Sequence, residues 1–259
     1  MAMRATHNTA ELSTPFAAPP RLHVRENALF LDLDGTLVDI QERPHAVHAS
    51  PTLKALLRRV SDIMSGAIAV VTGRSLGDLD EILEGAVDHA AGVHGFEIQR
   101  GSRITRDQIE LSQLAAARTD VRHLLQQHEL PALVEDKHAS LALHYRHIPD
   151  AEETVQRIVR EIAAKCGLRV LQGKMVVELI ATARTKGYAV TVLMAAPPFT
   201  GRTPIALGDD RTDEDAFSAV KRMGGFGVLV GEPRPSHADF VLAGPAAVAA
   251  WLDSGLRAA

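Results

Sequence analysis

Four short stretches carry residues whose types and spacing could do chemistry. Asp32-Leu33-Asp34-Gly35-Thr36 ends the apolar run Ala28 to Leu31. Thr72-Gly73-Arg74 ends the run Ala67 to Val71. Lys186-Gly187 stands before a helical pattern, and Gly208-Asp209-Asp210, with Asp213 beyond, ends the run Pro204 to Leu207. Two acids one residue apart point to opposite faces of a strand, and a bend beginning at Gly35 would let both reach one point. Converging carboxylates repel each other unless a cation sits between them, and oxygen-only ligands suit a hard ion such as Mg²⁺. One carboxylate can attack phosphorus. A second can protonate the leaving oxygen and later take a proton from water. A lysine and a hydroxyl can hold phosphate oxygens. The set suits phosphoryl transfer, which asks mainly for positioning and charge stabilisation. Singly, each residue has an ordinary explanation, since Asp and Gly favour turns and acids complement a helix N-terminus. Gathered at the carboxyl ends of buried strands, where open α/β sheets bind ligands, they make a candidate site.

The elements that must position them alternate. Ala28 to Leu31 reads as a strand buried on both faces. Ser50-Pro51 starts a helix with Leu53, Leu56, Leu57 and Val60 at helical spacing. Ala67 to Val71 is a second buried strand, and Ser75 with Asp78 caps the next helix. Asp88 to Gln99 reads as another strand and its turn. Strand and helix in turn predict a parallel sheet with crossover helices. After about Gly101 the pattern changes. A helix over about Gln108 to His128 leads to an antiparallel hairpin, Ala132 to Lys137 and Ser140 to Arg146, turning at His138-Ala139. A second helix, opened by Pro149-Asp150 with a capping box at Glu153, leads to two strands, Leu168 to Leu171 and Met175 to Ile180. The parallel pattern resumes at Lys186. Thr212 is expected to cap a helix there, and a closing helix over Pro245 to Asp253 ends at Gly255. The expected organisation is a flexible leader over 1–25, an α/β core over 26–100 and 182–259, and an inserted α+β cap over 101–181, with hinges near Gly101 and Ala181.

The bulk properties fit an ordinary soluble protein. The chain has 259 residues, 46% hydrophobic, enough for a real core. A net charge of −4 and 4% aromatic residues argue against nucleic acid or an anionic membrane. No apolar run approaches the ~20 residues needed to span a bilayer, and no signal pattern opens the chain. The single cysteine, Cys166, falls on an apolar helix face as a packing residue and fits a reducing, cytoplasmic compartment. His144 and His147 suggest a metal pair, but three residues apart on a strand end they face opposite ways and read as structural.

In the insertion, Leu133, Glu135 and Lys137 share one strand face, as do Lys174, Val176, Glu178 and Ile180. Met175, Val177 and Leu179 form an apolar face for the two helices. The charged face either meets solvent or closes over the catalytic edge, where carboxylates and ammonium groups would suit sugar hydroxyls.

D-x-D-G-T-L, T-G-R, a later lysine and G-D-D-x-x-D occur in the order of the haloacid-dehalogenase-like (HAD) phosphohydrolases. The cap strings narrow the resemblance. Val134-Glu135-Asp136-Lys137 followed by Leu141 to Arg146, and Gly173-Lys174-Met175-Val176-Val177-Glu178-Leu179, resemble the trehalose-6-phosphate phosphatases. Gly92-Val93-His94-Gly95 with Glu97, and Gly208 to Phe217, resemble core motifs of that family. The likeness runs from about Ala28 to Val230. It implies a Mg²⁺-dependent phosphatase hydrolysing a small sugar phosphate, trehalose 6-phosphate, to trehalose and phosphate through an aspartyl phosphate, with Asp32 as nucleophile and Asp34 as general acid/base. It implies that Thr72 and Lys186 hold the phosphate. Asp209 completes the metal site with Asp32 and the Asp34 carbonyl, and Asp210 and Asp213 support it. Glu135, Lys137 and Glu178 would grip glucose hydroxyls, and Lys174, Arg74 and His94 join the substrate-binding candidates. His94 either touches substrate or pins a loop. Three positions depart from the family pattern: Thr185 where Asn is frequent, Thr72 where Ser is common, and His138 in place of a cap-turn glycine. Sucrose phosphate and a mannosyl phosphate are the competing substrates, and a non-catalytic phosphate-binding module is the competing class. Protein partners and oligomeric state are not legible.

Overall fold

A computed structural model describes residues 17–41, 43–107, 111–137, 139–173 and 175–257. The first half of the core is β1 (Asn27–Leu31), α1 (Pro51–Ile63), β2 (Ile68–Val71), α2 (Leu76–Leu83), β3 (His89–Gly92), β4 (Glu97–Arg100) and β5 (Arg103–Arg106). The insertion follows as α3 (Leu111–Gln127), β6 (Leu133–Asp136), β7 (Ser140–His144), α4 (Glu152–Cys166), β8 (Arg169–Gly173) and β9 (Val176–Ile180). The core resumes with α5 (Lys186–Met194), β10 (Thr203–Gly208), α6 (Glu214–Arg222), β11 (Phe226–Val230), β12 (Phe240–Leu242) and α7 (Pro245–Leu256). Among the described residues no helix is long and apolar enough to cross a membrane.

The larger sheet has the order β12-β11-β10-β1-β2-β3-β4-β5, parallel from β12 to β3. β1 and β2 are buried along their whole length, as continuous apolar runs covered on both faces must be. The chain builds outward from β1 to β5, then returns to place β10 on the other side of β1. That reversal makes a crevice at the carboxyl ends of β1 and β10. Register aligns the ends, because Leu31 is level with both Leu207 and Val70. The three strands therefore end within one residue of one another, β2 at Val71 and β10 at Gly208.

The insertion packs α3 and α4 on one face of the antiparallel sheet β6-β7-β9-β8. Leu114, Val121, Ile158, Ile162, Leu143, Val177 and Leu179 form that interior. Cys166 lies in the same layer as a free, buried thiol.

Several expectations need correction. The boundary at Gly101 falls inside the β4–β5 hairpin, which extends the core sheet antiparallel to Arg106. β5 is exposed at every residue, so no apolar pattern marked it as a strand. Residues 17–25 are part of the core, not a leader. Leu22 and Val24 are buried, and the Trp251 indole donates to the Pro20 carbonyl at 2.9 Å. Proline content hid this by removing any periodicity. Residues 1–16 of the expected leader, like the cap-turn His138 and the candidate Lys174, lie outside the described residues. Gly255 does not end α7 but sits within it, where a Cβ would come within 2.8 Å of the Leu22 Cβ. No capping box opens α4. A 3₁₀ turn at Pro149–Ala151 precedes it, and Glu152 bonds the Tyr145 hydroxyl and Gln156. The cap after β10 is Asp210, whose side chain and that of Asp213 form a reciprocal box around the turn Arg211–Asp213, where Thr212 was expected.

Candidate active site

The site grows from strand ends. Past β1 the chain turns at once. Leu37 and Val38 bond back to the Leu33 carbonyl, and Gly35 takes φ +83°. This turn brings Asp32 and Asp34 to the same crevice, as the bend was expected to do. It also seats Gly35 against Asp209, where a Cβ would stand 2.2 Å from Oδ2.

At the centre, the Lys186 ammonium donates to Asp32 Oδ1 and Asp213 Oδ1, each at 2.7 Å. All three residues are buried. Carboxylate oxygens of Asp32, Asp209 and Asp213 lie within 4.8 Å of one another. Burial pushes the Asp32 carboxyl well up, and the neighbouring Asp213 and Asp209 add to this while Lys186 opposes it. Burial alone would lower Lys186, but Asp213 and Asp32 outweigh it and hold the ammonium firmly charged. The three carboxylates gathered here offer only oxygen donors. This donor set fits a hard divalent cation, with Asp32 and Asp209 as holders. Asp213 joins this cluster by sharing Lys186 with Asp32. Asp210 turns its carboxylate to the Arg211 backbone N–H at 2.5 Å.

Asp34 faces a different partner. Arg74 grips it in a two-pronged contact, Nε to Oδ2 and Nη2 to Oδ1, both 2.7 Å. Thr72 is buried beside this pair, and its hydroxyl accepts the Arg74 backbone N–H at 3.2 Å. Thr185, in the place where asparagine was the expected residue, caps α5 by accepting the Tyr188 N–H. The cap therefore survives the change, and Lys186 is held at the helix start.

The insertion's polar face does close over this edge. One cavity is lined by Asp32, Asp34, Thr72, Lys186 and Asp209 below and by Glu135, Lys137 and Glu178 above. Glu178 is buried and accepts from His94 Nε2 at 3.0 Å and from the Ser140 hydroxyl at 2.5 Å. The Lys137 ammonium lies 3.4 Å from Glu178 and 3.8 Å from Glu135. Burial works against ionising Glu178, yet Lys137, His94 and Ser140 overcome it and hold its carboxyl well below the usual carboxylate range. Ile40 and Val47 of the core and Leu171 and Val176 of the insertion give the cavity an apolar wall.

Sequence reasoning missed three neighbours. Ser140 holds Glu178, His144 bonds Glu135 at 2.8 Å, and Arg146 donates to the Gln41 carbonyl across the cavity mouth. The signal was present for two of them. Leu141 and Leu143 point into the insertion's interior, so Ser140 and His144 must point the other way. His147 bonds the Pro131 carbonyl and does not pair with His144.

The fold, an α+β unit inserted into a parallel core, is shared with a solved structure from the haloalkanoate (HAD) enzyme superfamily. The solved C-terminal domain of a trehalose-6-phosphate phosphatase from C. albicans superposes with TM-score 0.82 at 19% identity, covering 94% of this chain and 99% of that one. The chain belongs to the trehalose-phosphatase family, a family of phosphoric monoester hydrolases, whose profile it matches over residues 30–246. It is 39% identical over 219 residues to a probable trehalose-phosphate phosphatase of Sinorhizobium fredii, covering 81% of this chain and 79% of that one. It is 34% identical over 244 residues to the trehalose-6-phosphate phosphatase of Escherichia coli, covering 93% and 91%.

Proposed function

We propose that this chain hydrolyses trehalose 6-phosphate to trehalose and inorganic phosphate, with Mg²⁺ as its metal. One observation carries the reading: Glu135, Lys137 and Glu178 stand over Asp32 in a single cavity. The lower half has what phosphoryl transfer needs, and the upper half has donors and acceptors suited to sugar hydroxyls.

Asp32 attacks phosphorus, and the bond from phosphorus to the sugar oxygen breaks. Asp34 gives its proton to that oxygen, so the sugar leaves neutral. Water then attacks the aspartyl phosphate, Asp34 takes its proton, and the bond to Asp32 breaks to restore the carboxylate. An ammonium has three donors, and Lys186 uses two on Asp32 and Asp213, which leaves the third for a phosphate oxygen. The Thr72 hydroxyl supplies a second contact. Mg²⁺ bound by Asp32, Asp209 and the Asp34 carbonyl would lower repulsion between the attacking carboxylate and the phosphate.

The test is phosphate release from trehalose 6-phosphate, sucrose phosphate, a mannosyl phosphate and an aryl phosphate, with Mg²⁺ and with chelator. The reading requires the highest kcat/KM on trehalose 6-phosphate and loss of turnover with chelator. A preference for another sugar phosphate would replace the substrate, and full activity with chelator would remove the metal.

A further inference from the structure

The family motifs leave one feature of the core unexplained. Between β3 and β4, two consecutive non-glycine residues take positive φ: Val93 at +45° and His94 at +56°. For a β-branched residue this is a genuine outlier, and such strain persists only where the surroundings hold it. They do so here. Val93 N–H bonds the Arg74 carbonyl at 2.8 Å, and His94 N–H bonds the Thr72 carbonyl at 3.0 Å. Val93 and Phe96 of the core form a small buried cluster with Ala139 of the insertion. The kink is therefore a seat on which the insertion rests, at the residue next to Ser140.

The strain aims one side chain. The His94 ring is buried and lies over Gly73, where a Cβ would stand 2.7 Å from the ring. Its Nε2 meets Glu178 Oε2, while its Nδ1 is buried with no hydrogen-bond partner. A bond to a carboxylate requires Nε2 to carry the hydrogen. A carboxylate offers about four acceptor positions. His94 takes one on Oε2, and Ser140 and Lys137 approach Oε1. One position on Oε2 remains for a ligand hydroxyl. Two of the three donors belong to the insertion and would travel with Glu178 if the insertion moved. His94 alone belongs to the core.

We infer that His94 is a positioning residue for sugar recognition: it fixes the Glu178 carboxylate from the core side, so that Glu178 presents its remaining acceptor only when the insertion is seated on the Val93–His94 kink. The inference rests on the proposal that Glu178 binds a sugar hydroxyl. It assigns His94 to Glu178 and not to the substrate.

A double-mutant cycle tests it. His94→Phe keeps the ring packed on Gly73 and removes the donor; His94→Ala serves the same purpose if that variant does not fold. His94→Gln restores a donor near the place of Nε2. Each is combined with Glu178→Ala and assayed on the sugar phosphate that the unmodified enzyme turns over best, and on an aryl phosphate. The identity of the sugar and the role of His94 are thereby judged separately. Removing a hydrogen bond to a charged group should lower kcat/KM on the sugar phosphate by about 10- to 100-fold, mostly through KM. The loss on the aryl phosphate should be smaller by about tenfold or more, on the same principle. His94→Gln should recover most of the difference, and the His94 change should add nothing once Glu178 is alanine. Additive losses in the double variant would mean that His94 touches substrate itself. Equal losses on both substrates would mean that it only supports the fold. Either result overturns the assignment.

Discussion

Gly35→Ala is the sharpest probe of how the core builds its site. Two costs arise at this position and can be separated. The first is backbone: at φ +83° a Cβ crowds its own carbonyl, worth roughly 1–2 kcal/mol. The second is displacement: the new Cβ would stand 2.2 Å from Asp209 Oδ2 and 2.5 Å from its Cγ. Clearing the oxygen to 3.0 Å needs a movement of about 0.8 Å, and a misplacement of about 1 Å at a reacting centre can cost ~10²-fold. Asp209 would leave its place beside Asp32 and Asp213. Gly85→Ala is the control. Gly85 also has positive φ, +65°, but nothing lies within 4 Å of its absent Cβ. Urea unfolding should show both variants destabilised by about 1–2 kcal/mol. Phosphate release should fall about 100-fold in Gly35→Ala alone, with a higher Mg²⁺ requirement. Full turnover in Gly35→Ala, or an equal loss in Gly85→Ala, would refute the link between this glycine and the position of Asp209.

Asp32→Asn should lower kcat by roughly 10⁴- to 10⁶-fold, as loss of a nucleophile does, with an unchanged fold by circular dichroism; retained turnover would move the nucleophile elsewhere. Glu178 carries a pH prediction. Its folded carboxyl lies below its ordinary value of 4.5, so it contributes stability above that value and loses it as pH falls through the folded one. Glu178→Gln should therefore lose about 1–3 kcal/mol less than the unmodified chain between about pH 5 and pH 3, read by urea unfolding; parallel slopes would show that Glu178 is not held in the charged form by its partners. Adding chelator should weaken binding of inorganic phosphate, read by isothermal titration calorimetry, by about tenfold or more, because the anion then meets the acids without the cation between them. An unchanged dissociation constant would place phosphate away from Asp32 and Asp209.

The alternation of buried strands and helices was legible because parallel strands covered on both faces read as continuous apolar runs. The places where the candidate residues collect followed from it, since β1, β2 and β10 end within one residue of one another. β5 was not legible, because an exposed edge strand has no apolar face to betray it. Neither was the docking of residues 17–25, where Leu22 is placed by its approach to Gly255 of α7 and not by any repeat. Within the site, the acids and Lys186 could be named from sequence, but their partners could not. That Asp34 is held by Arg74, or that Asp213 shares Lys186 with Asp32, depends on segments 40 and 27 residues apart. His94 was legible as a candidate only. Its left-handed backbone is a tertiary product of Val93 packing against Ala139.

The charge inventory of the cavity explains why core and insertion must meet. Asp32, Asp34, Glu135, Glu178, Asp209 and Asp210 line it, against Arg74, Lys137, Arg146 and Lys186 among the described residues. Carboxylates outnumber cations, yet the ligand is itself an anion. The core resolves this locally by giving Lys186 to Asp32 and Asp213, and Arg74 to Asp34, so each acid is fixed in place while it waits. The insertion resolves it the same way, with Lys137 lying between Glu178 and Glu135. At the other end Asp32, Asp209 and Asp213 bring their oxygens within 4.8 Å of one another, where a divalent ion fits. Under the proposed function that acidic end would take the metal and the phosphate, and the sugar end pairs Glu135 and Glu178 with Lys137. Such a site would discriminate, under the same function, by hydroxyl geometry above and by charge below, and Glu178, bonded from both halves, is where the two would be joined.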